Sequence, residues 1–362
     1  MRTIYEGYTF LETETPAFFA GANTGSGFSG EYAAFAGEEA LNRLWILKGS
    51  SGSGKSTLLR KLGADAAADG HSCVQYLCSS DPDSLDAVVI DGKYAALDGT
   101  APHVWEMEYP GAVSELIYMG KFWETEKLEA EKETIIRLTR SKKEAFGAGY
   151  ACLSALSVLE KEQYQTAIRL LDIEKVNAWL DRFLSKVPRQ ARTGETERCR
   201  TWAITTKGLF RSGGLQKMAG NHWILSDRYQ TAVCFLGLLA EHCRKLQIPV
   251  CLSVHPVNDR VTEVYIPPMD LHISVGKEPA DKTICMNRFL KKEQLTVKKG
   301  AIRLGARCMV SLLEDACACF REAGEAHREL EKVYGSAMDF AAMNRETGQL
   351  RKRIRKYIGQ MS

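Results

Sequence analysis

The chain has 362 residues, 45% of them hydrophobic and 26% charged, with a formal net charge of +3. That length allows two or three domains with ample core, in an ordinary globular composition. The charge is too small to imply nucleic acid as a partner, and no run of about 18 apolar residues is present to span a membrane. The opening residues Met1-Arg2-Thr3-Ile4-Tyr5-Glu6 lack the apolar run of a signal peptide, so a cytoplasmic protein is expected. Eleven cysteines show no metal-type C-x-x-C pairing. Several, such as Cys73, Cys78 and Cys251, fall in apolar strand-like runs, which predicts reduced, buried thiols.

In chain order, Leu44-Trp45-Ile46-Leu47 reads as a short buried strand, and a helical stretch opens at Ser56. Between them, residues 49–57 read Gly-Ser-Ser-Gly-Ser-Gly-Lys-Ser-Thr and fit the phosphate-binding pattern G-x-x-x-x-G-K-[ST] without a mismatch. Glycines let the chain turn tightly and present successive backbone N–H groups to a phosphate, while the following helix adds its positive end. Gly49, Ser50, Ser51, Gly52, Ser53, Gly54, Lys55, Ser56 and Thr57 are therefore the candidate nucleotide-binding residues. Lys55 would reach the β- and γ-phosphates, and Ser56 would help hold Mg²⁺.

A second strand is expected near 73–78, followed by Ser79-Ser80-Asp81-Pro82-Asp83-Ser84-Leu85-Asp86 at the carboxyl edge, where open α/β sheets bind ligands. These acids suit orienting Mg²⁺ or a water, with Asp81 and Asp83 the better candidates; equally, they suit a capping turn before a short helix. A third strand near 93–98 ends in Asp98, the place of the Walker B acid that holds Mg²⁺; an Asp-Gly turn is the plain alternative. His103, five residues on, is either a γ-phosphate neighbour or a structural histidine.

Residues 111–187 read as helical, with charged runs such as residues 124–132 forming a solvated face. Residues 188–197, rich in Pro, Gly, Thr and Arg, make a linker. The pattern then repeats. Trp45-Ile46-Leu47 recurs as Trp223-Ile224-Leu225, Cys73 falls on Cys251, and Thr24-x-x-Gly27 matches Thr205-x-x-Gly208. Leu171-Asp172-Ile173 matches Met338-Asp339-Phe340, followed by Val176-Asn177 and Met343-Asn344. A tandem duplication is expected. In the second copy, residues 227–234 lose both glycines, the lysine and the serine, Val233 falls where Lys55 stood, and Val275 replaces Asp98. The fold expected is α/β, a three-layer α/β/α P-loop NTPase with a mainly parallel sheet. Domains are drawn at 1–187 and 198–362, with helical extensions at about 111–187 and 303–358. The Arg211-Ser212-Gly213-Gly214 run reads as a turn, and the basic run of residues 351–356 as complementing a helix C-terminus, leaving nucleic acid unlikely.

With the loop, the residue 79–86 run, the Asp98-Gly99-Thr100-Ala101-Pro102-His103 run and the two-copy layout in hand, the chain resembles an uncharacterised bacterial family of tandem P-loop ATPases. The resemblance covers nearly the whole chain and implies fold and architecture but no substrate. The second copy departs from it, because both halves of that family can carry an intact loop. The function expected is Mg²⁺-dependent binding and hydrolysis of a nucleoside triphosphate, ATP rather than GTP, since no Asn-Lys-x-Asp guanine signature follows the loop. Lys55, Asp98, Asp81, Asp83 and His103 are its candidate catalytic residues, and Ser56 and Asp98 the metal ligands. Alternatives are a small-molecule kinase and a nucleotide-sensing adaptor whose helical extensions dock a protein partner.

Overall fold

The computed structural model describes residues 3–361; Met1 and Arg2, which the leader reading includes, and Ser362 lie outside the described residues. The first half contains strands β1 (Thr9–Leu11) and β2 (Ala17–Phe19), the hairpin β3 (Gly21–Thr24) and β4 (Gly27–Gly30), and the short helix α1 (Tyr32–Ala36). Then come β5 (Arg43–Lys48), α2 (Lys55–Ala68), β6 (Cys73–Leu77), β7 (Leu85–Ile90), β8 (Tyr94–Asp98) and β9 (Ser114–Tyr118). Helices α3 (Thr125–Ala130), α4 (Lys132–Leu170) and α5 (Ile173–Leu184) extend it. The second half runs β10 (Thr196–Cys199), β11 (Trp202–Thr205), β12 (Gly208–Ser212), α6 (Gly214–Met218), β13 (Asn221–Ser226) and α7 (Thr231–Lys245). It continues with β14 (Val250–Val254), β15 (Val261–Ile266), β16 (Leu271–Val275), β17 (Lys282–Cys285), α8 (Lys292–Ser336) and α9 (Phe340–Met361).

The protein is α/β with mixed sheets rich in parallel strands, compatible with a three-layer α/β/α fold. One six-stranded sheet has the order β2-β6-β7-β8-β5-β9, the other β10-β14-β15-β16-β13-β17. In each, only the third strand of that order, β7 or β15, runs against its neighbours. No helix follows residues 79–84. The run from Leu85 to Ile90 is wholly buried and forms the reversed strand, hydrogen-bonded on both sides. Continuous apolar sequence of this kind marks a strand covered on both faces.

The turns repeat as well as the sheets. Thr24 Oγ1 donates to Gly27 O and accepts from Ser26 N; Thr205 Oγ1 donates to Gly208 O and accepts from Lys207 N. Asp172 accepts from Lys175 N at the start of α5, as Asp339 does from Ala342 N at the start of α9.

The two helical extensions cross over. Helices α4 and α8 lie antiparallel, Gly149 against the Phe320 ring and Gly305 against Gln163. Beyond them α5 buries Val176, Leu180, Phe183 and Leu184 in the second half's core, and α9 buries Leu350, Ile354 and Ile358 beside Leu58, Leu62 and Ala66 of the first. The backbone joints are reciprocal. Asp172 N donates to Phe289 O and Lys291 N to Leu170 O; Asp339 N donates to Phe122 O and Glu124 N to Ala337 O. Each half's extension thus closes the other half's core. The basic run on α9 is spent inside the chain, Arg351 on Asp65 at 2.6 Å, Arg353 on Glu115 and Arg355 on Asp69.

Equivalent faces of the two sheets differ in chemistry. The first half has Ala20, Leu44, Ala87 and Ala95 in its core. At the same registers the second half has Thr201, His222, Glu263 and His272, all buried. Arg211, expected in a turn, lies fully buried inside β12 and grips Glu263 through two 3.0 Å bonds and Glu278 at 2.6 Å. His272 Nε2 lies 2.8 Å from Glu263 and its Nδ1 2.8 Å from His222 Nδ1. Burial favours an uncharged Glu263, but Arg211 and His272 outweigh it and hold the carboxyl well below its usual range. Burial, then the charges of His272 and Arg211, lowers His222 to about 4.

Candidate functional site

The carboxyl ends of β5 and β8 lie side by side, with Leu47 paired to Asp98. Residues 49–54 leave β5 there and enter α2. Gly52 and Gly54 have left-handed φ values of 74° and 81°, which side-chain-bearing residues adopt only at a cost. The turn brings Lys55, 8% exposed, back under the loop. Its Nζ donates to Gly49 O at 2.8 Å and Ser50 O at 2.7 Å, and stands 3.5 Å from Asp98 Oδ2. Asp98 Oδ1 accepts from Thr100 N at 2.8 Å, and Thr100 Oγ1 donates to Gly49 O at 2.8 Å. Ser53 Oγ donates to Ser50 O, and Ser56 Oγ accepts from Leu85 N at 2.9 Å, leaving its second lone pair for another partner. Thr57, one residue into the helix, is exposed.

Lys55, Ser56 and Asp98 are therefore gathered at one sheet edge beside the loop. A cation, a hydroxyl and a carboxylate around a helix N-terminus without a side-chain cap suit a magnesium-bound polyphosphate.

Asp81 and Asp83 are placed differently. Both bind Lys207 in the β11–β12 turn of the second half, Asp81 at 2.7 Å. Burial alone would raise the Asp81 carboxyl, but the hydrogen bond and charge of Lys207 outweigh it and hold it below its usual range. His103 is buried away from solvent, its Nε2 3.4 Å from Asp86 Oδ2 and its ring edge-on to Phe28. Asp86, on β7, also accepts from Tyr32 OH at 3.2 Å. Its carboxyl is raised, by burial first and then by the charge of Asp98 against the opposing pull of His103.

Elements of the second half frame the loop. Ser51 Oγ lies 3.3 Å from His327 Nδ1 on α8, a Cβ on Gly52 would stand 2.8 Å from Glu331 O, and one on Gly54 would stand 3.0 Å from Met343 Sδ on α9. These neighbours are invisible to motif reading because they lie almost 300 residues along the chain. Asp86 left a fainter mark, a single acid inside an apolar run.

The corresponding loop of the second half is two residues shorter. Both helices follow a left-handed residue, Gly54 or Gln230, so Thr231 rather than Val233 stands where Lys55 does. Cys73 opens its strand where Val250 does, one place from Cys251. Val275 pairs with Leu225 as Asp98 does with Leu47. Asp227 accepts from Tyr229 N at 2.9 Å, Thr231 Oγ1 at 3.0 Å and Ala232 N at 2.8 Å, so its own carboxylate meets the N-terminal amides of α7. The chain matches no protein-family model, no curated protein and no solved structure.

Proposed function

We propose that the first half binds a nucleoside triphosphate, ATP in the first instance, together with Mg²⁺, and hydrolyses it, and that the second half is a non-binding copy from a tandem duplication. The shared strand order, the paired threonine turns and the paired aspartate caps support the duplication. One observation carries the assignment of the site. At the second helix N-terminus the part-buried Asp227 carboxylate accepts from Ala232 N and Thr231 Oγ1, and Thr231 stands where Lys55 does; at the first, Lys55 is present and no carboxylate of the loop takes that place. Helix N-termini favour anions, so the first is matched to an external anion and the second supplies its own.

In this reading the amides of residues 50–57 and Lys55 Nζ bind the β- and γ-phosphates, Lys55 exchanging the carbonyls of Gly49 and Ser50 for phosphate oxygens. Ser56 and Asp98 hold Mg²⁺, which neutralises charge developing on the phosphates. Asp81, Asp83 and His103 are the residues offered for orienting the attacking water, the two aspartates only after leaving Lys207.

The contacts of Ser51, Gly52 and Gly54 with α8 and α9 favour one second reading, a nucleotide sensor that signals through the exchanged helices with little turnover. Titration with ATP and Mg²⁺, followed by phosphate release, tests both. Lys55→Ala should weaken binding about tenfold or more, the loss of a charge-assisted contact of roughly 1.5–3 kcal/mol. Unchanged affinity in Lys55→Ala refutes both readings, whereas binding without phosphate release refutes the hydrolase alone.

A further inference from the structure

Three side chains from separate segments meet beside the loop: Cys78 after β6, Asp86 on β7 and His103 after β8. One ligand-capable atom from each lies within 4.8 Å of the other two. Asp86 is 4% and His103 8% exposed. Asp86 is met by Tyr32 OH and His103 Nε2, while the His103 ring is short of one partner. His103 Nδ1 has no hydrogen-bond partner, and among the described residues no Lys or Arg pairs with Asp86. The cation candidate facing Asp86 is His103 itself, and a buried carboxylate draws either a proton or a positive ion.

The spacing is compatible with a tetrahedral ion, and the thiol narrows the class. Oxygen and nitrogen donors about 2.0–2.1 Å from a tetrahedral Zn²⁺ stand roughly 3.4 Å apart. The separation of His103 Nε2 from Asp86 Oδ2 is 3.4 Å. We propose that Cys78, Asp86 and His103 bind one divalent transition-metal ion of the zinc class, leaving a fourth position to water or ligand. A thiolate, a carboxylate and a neutral imidazole balance a dication, and the Cys78 proton leaves to solvent on binding. The thiolate selects zinc-like metals over Mg²⁺, so this centre is chemically distinct from Ser56 and Asp98. Tyr32, hydrogen-bonded to Asp86, holds that ligand as outer partners of metal ligands do, and Phe28 packs against the His103 ring, whose Nδ1 is left without a protein partner. Metal binding here does not require nucleotide, but it takes His103 out of the water-orienting role offered above. The centre adjoins the loop through Leu85, whose N–H donates to Ser56 Oγ one residue before Asp86.

The test uses the full chain, stripped with a chelator and titrated with Co²⁺ and then Zn²⁺. One equivalent of Co²⁺ should bind with a thiolate-to-cobalt charge-transfer band, and Zn²⁺ should displace it. Cys78→Ser should abolish the band, and His103→Ala should weaken Co²⁺ binding about tenfold or more. Cys73→Ser, a thiol outside the cluster, should leave the spectrum unchanged. Because the variants alter a buried site, the native chain supplies a second measurement: Zn²⁺ should slow alkylation of Cys78, mapped by mass spectrometry, more than that of the exposed Cys285 and Cys308. A band that persists in Cys78→Ser, or Cys78 alkylation indifferent to Zn²⁺, overturns the proposal.

Discussion

Ile354→Ala removes three carbons from a side chain that belongs in sequence to the second half's extension yet is only 3% exposed in the first half's core. At about 0.8 kcal/mol per buried methylene the transfer cost is roughly 2.4 kcal/mol, and incomplete collapse of the cavity adds up to about 2 kcal/mol. The ion pairs of Arg351 and Arg355 flank the site at the surface, where solvent screens them, so they cannot mask the loss. The weakened unit should be the first sheet. Hydrogen exchange followed by mass spectrometry should show amides of residues 43–48 and 85–98 losing roughly 100- to 1000-fold protection, with residues 221–226 and 261–275 less affected. Leu180→Ala, fully buried in the second half's core, should show the reverse order. If Ile354→Ala weakens the second sheet first, or costs less than about 0.5 kcal/mol, the exchanged arrangement of the helices is wrong.

Gly52→Ala forces a left-handed residue and sets a Cβ 2.8 Å from Glu331 O, so it should cost about 1–2 kcal/mol and weaken nucleotide binding; an unchanged melting temperature and affinity would contradict this. His222, His255 and His272 are all held below the usual histidine range, first by burial, with His222 at about 4 and His255 at about 3. Their unfolded forms take up protons first, so the second half's stability is full above about pH 6.5 and falls as pH drops toward 4; a urea midpoint flat from pH 7 to 5 would refute this. Lys207→Ala should cost no more than about 1 kcal/mol, in a salt-dependent way, because its pairs with Asp81 and Asp83 are part-exposed. Asp81's depressed carboxyl stabilises the fold above its unfolded value near pH 4, and that contribution disappears as pH falls below it.

What could be read from sequence was local. The loop announces itself because its glycines, lysine and serine act within nine consecutive residues, and Asp98 because it ends an apolar strand. The threonine turns and aspartate caps repeat because each is decided by hydrogen bonds within three or four residues. The reversed strand β7 was hidden by the acids before it, whose capping chemistry also suits a helix start. The crossing of α5 and α9 was hidden for a different reason: amphipathic helices state which face they bury but not against which sheet. Register slipped between the halves for want of any local signal, since a connection two residues shorter between strand and helix leaves both elements intact. Cys78, Asp86 and His103 come together only because β6, β7 and β8 are neighbours in the sheet.

The second half does not merely lack the first half's chemistry. Thr231 and Val275 stand where Lys55 and Asp98 do, and Asp227 fills the anionic role from within the chain. A domain that binds an external anion gains stability from it as RT ln(1 + [L]/Kd), and so changes with ligand supply. One that carries the anion covalently does not. The Arg211–Glu263–His272 network, buried where the first half has small apolar residues, likewise fixes the second half by internal charge. Under the proposed function, the first sheet would be ligand-responsive and the second constant. Because each is closed by the other's helices, a change in the order of the loop reaches α8 and α9 directly, through Ser51, Gly52 and Gly54. If the proposed nucleotide site is right, the second half is the frame against which the loop's ordering would be expressed.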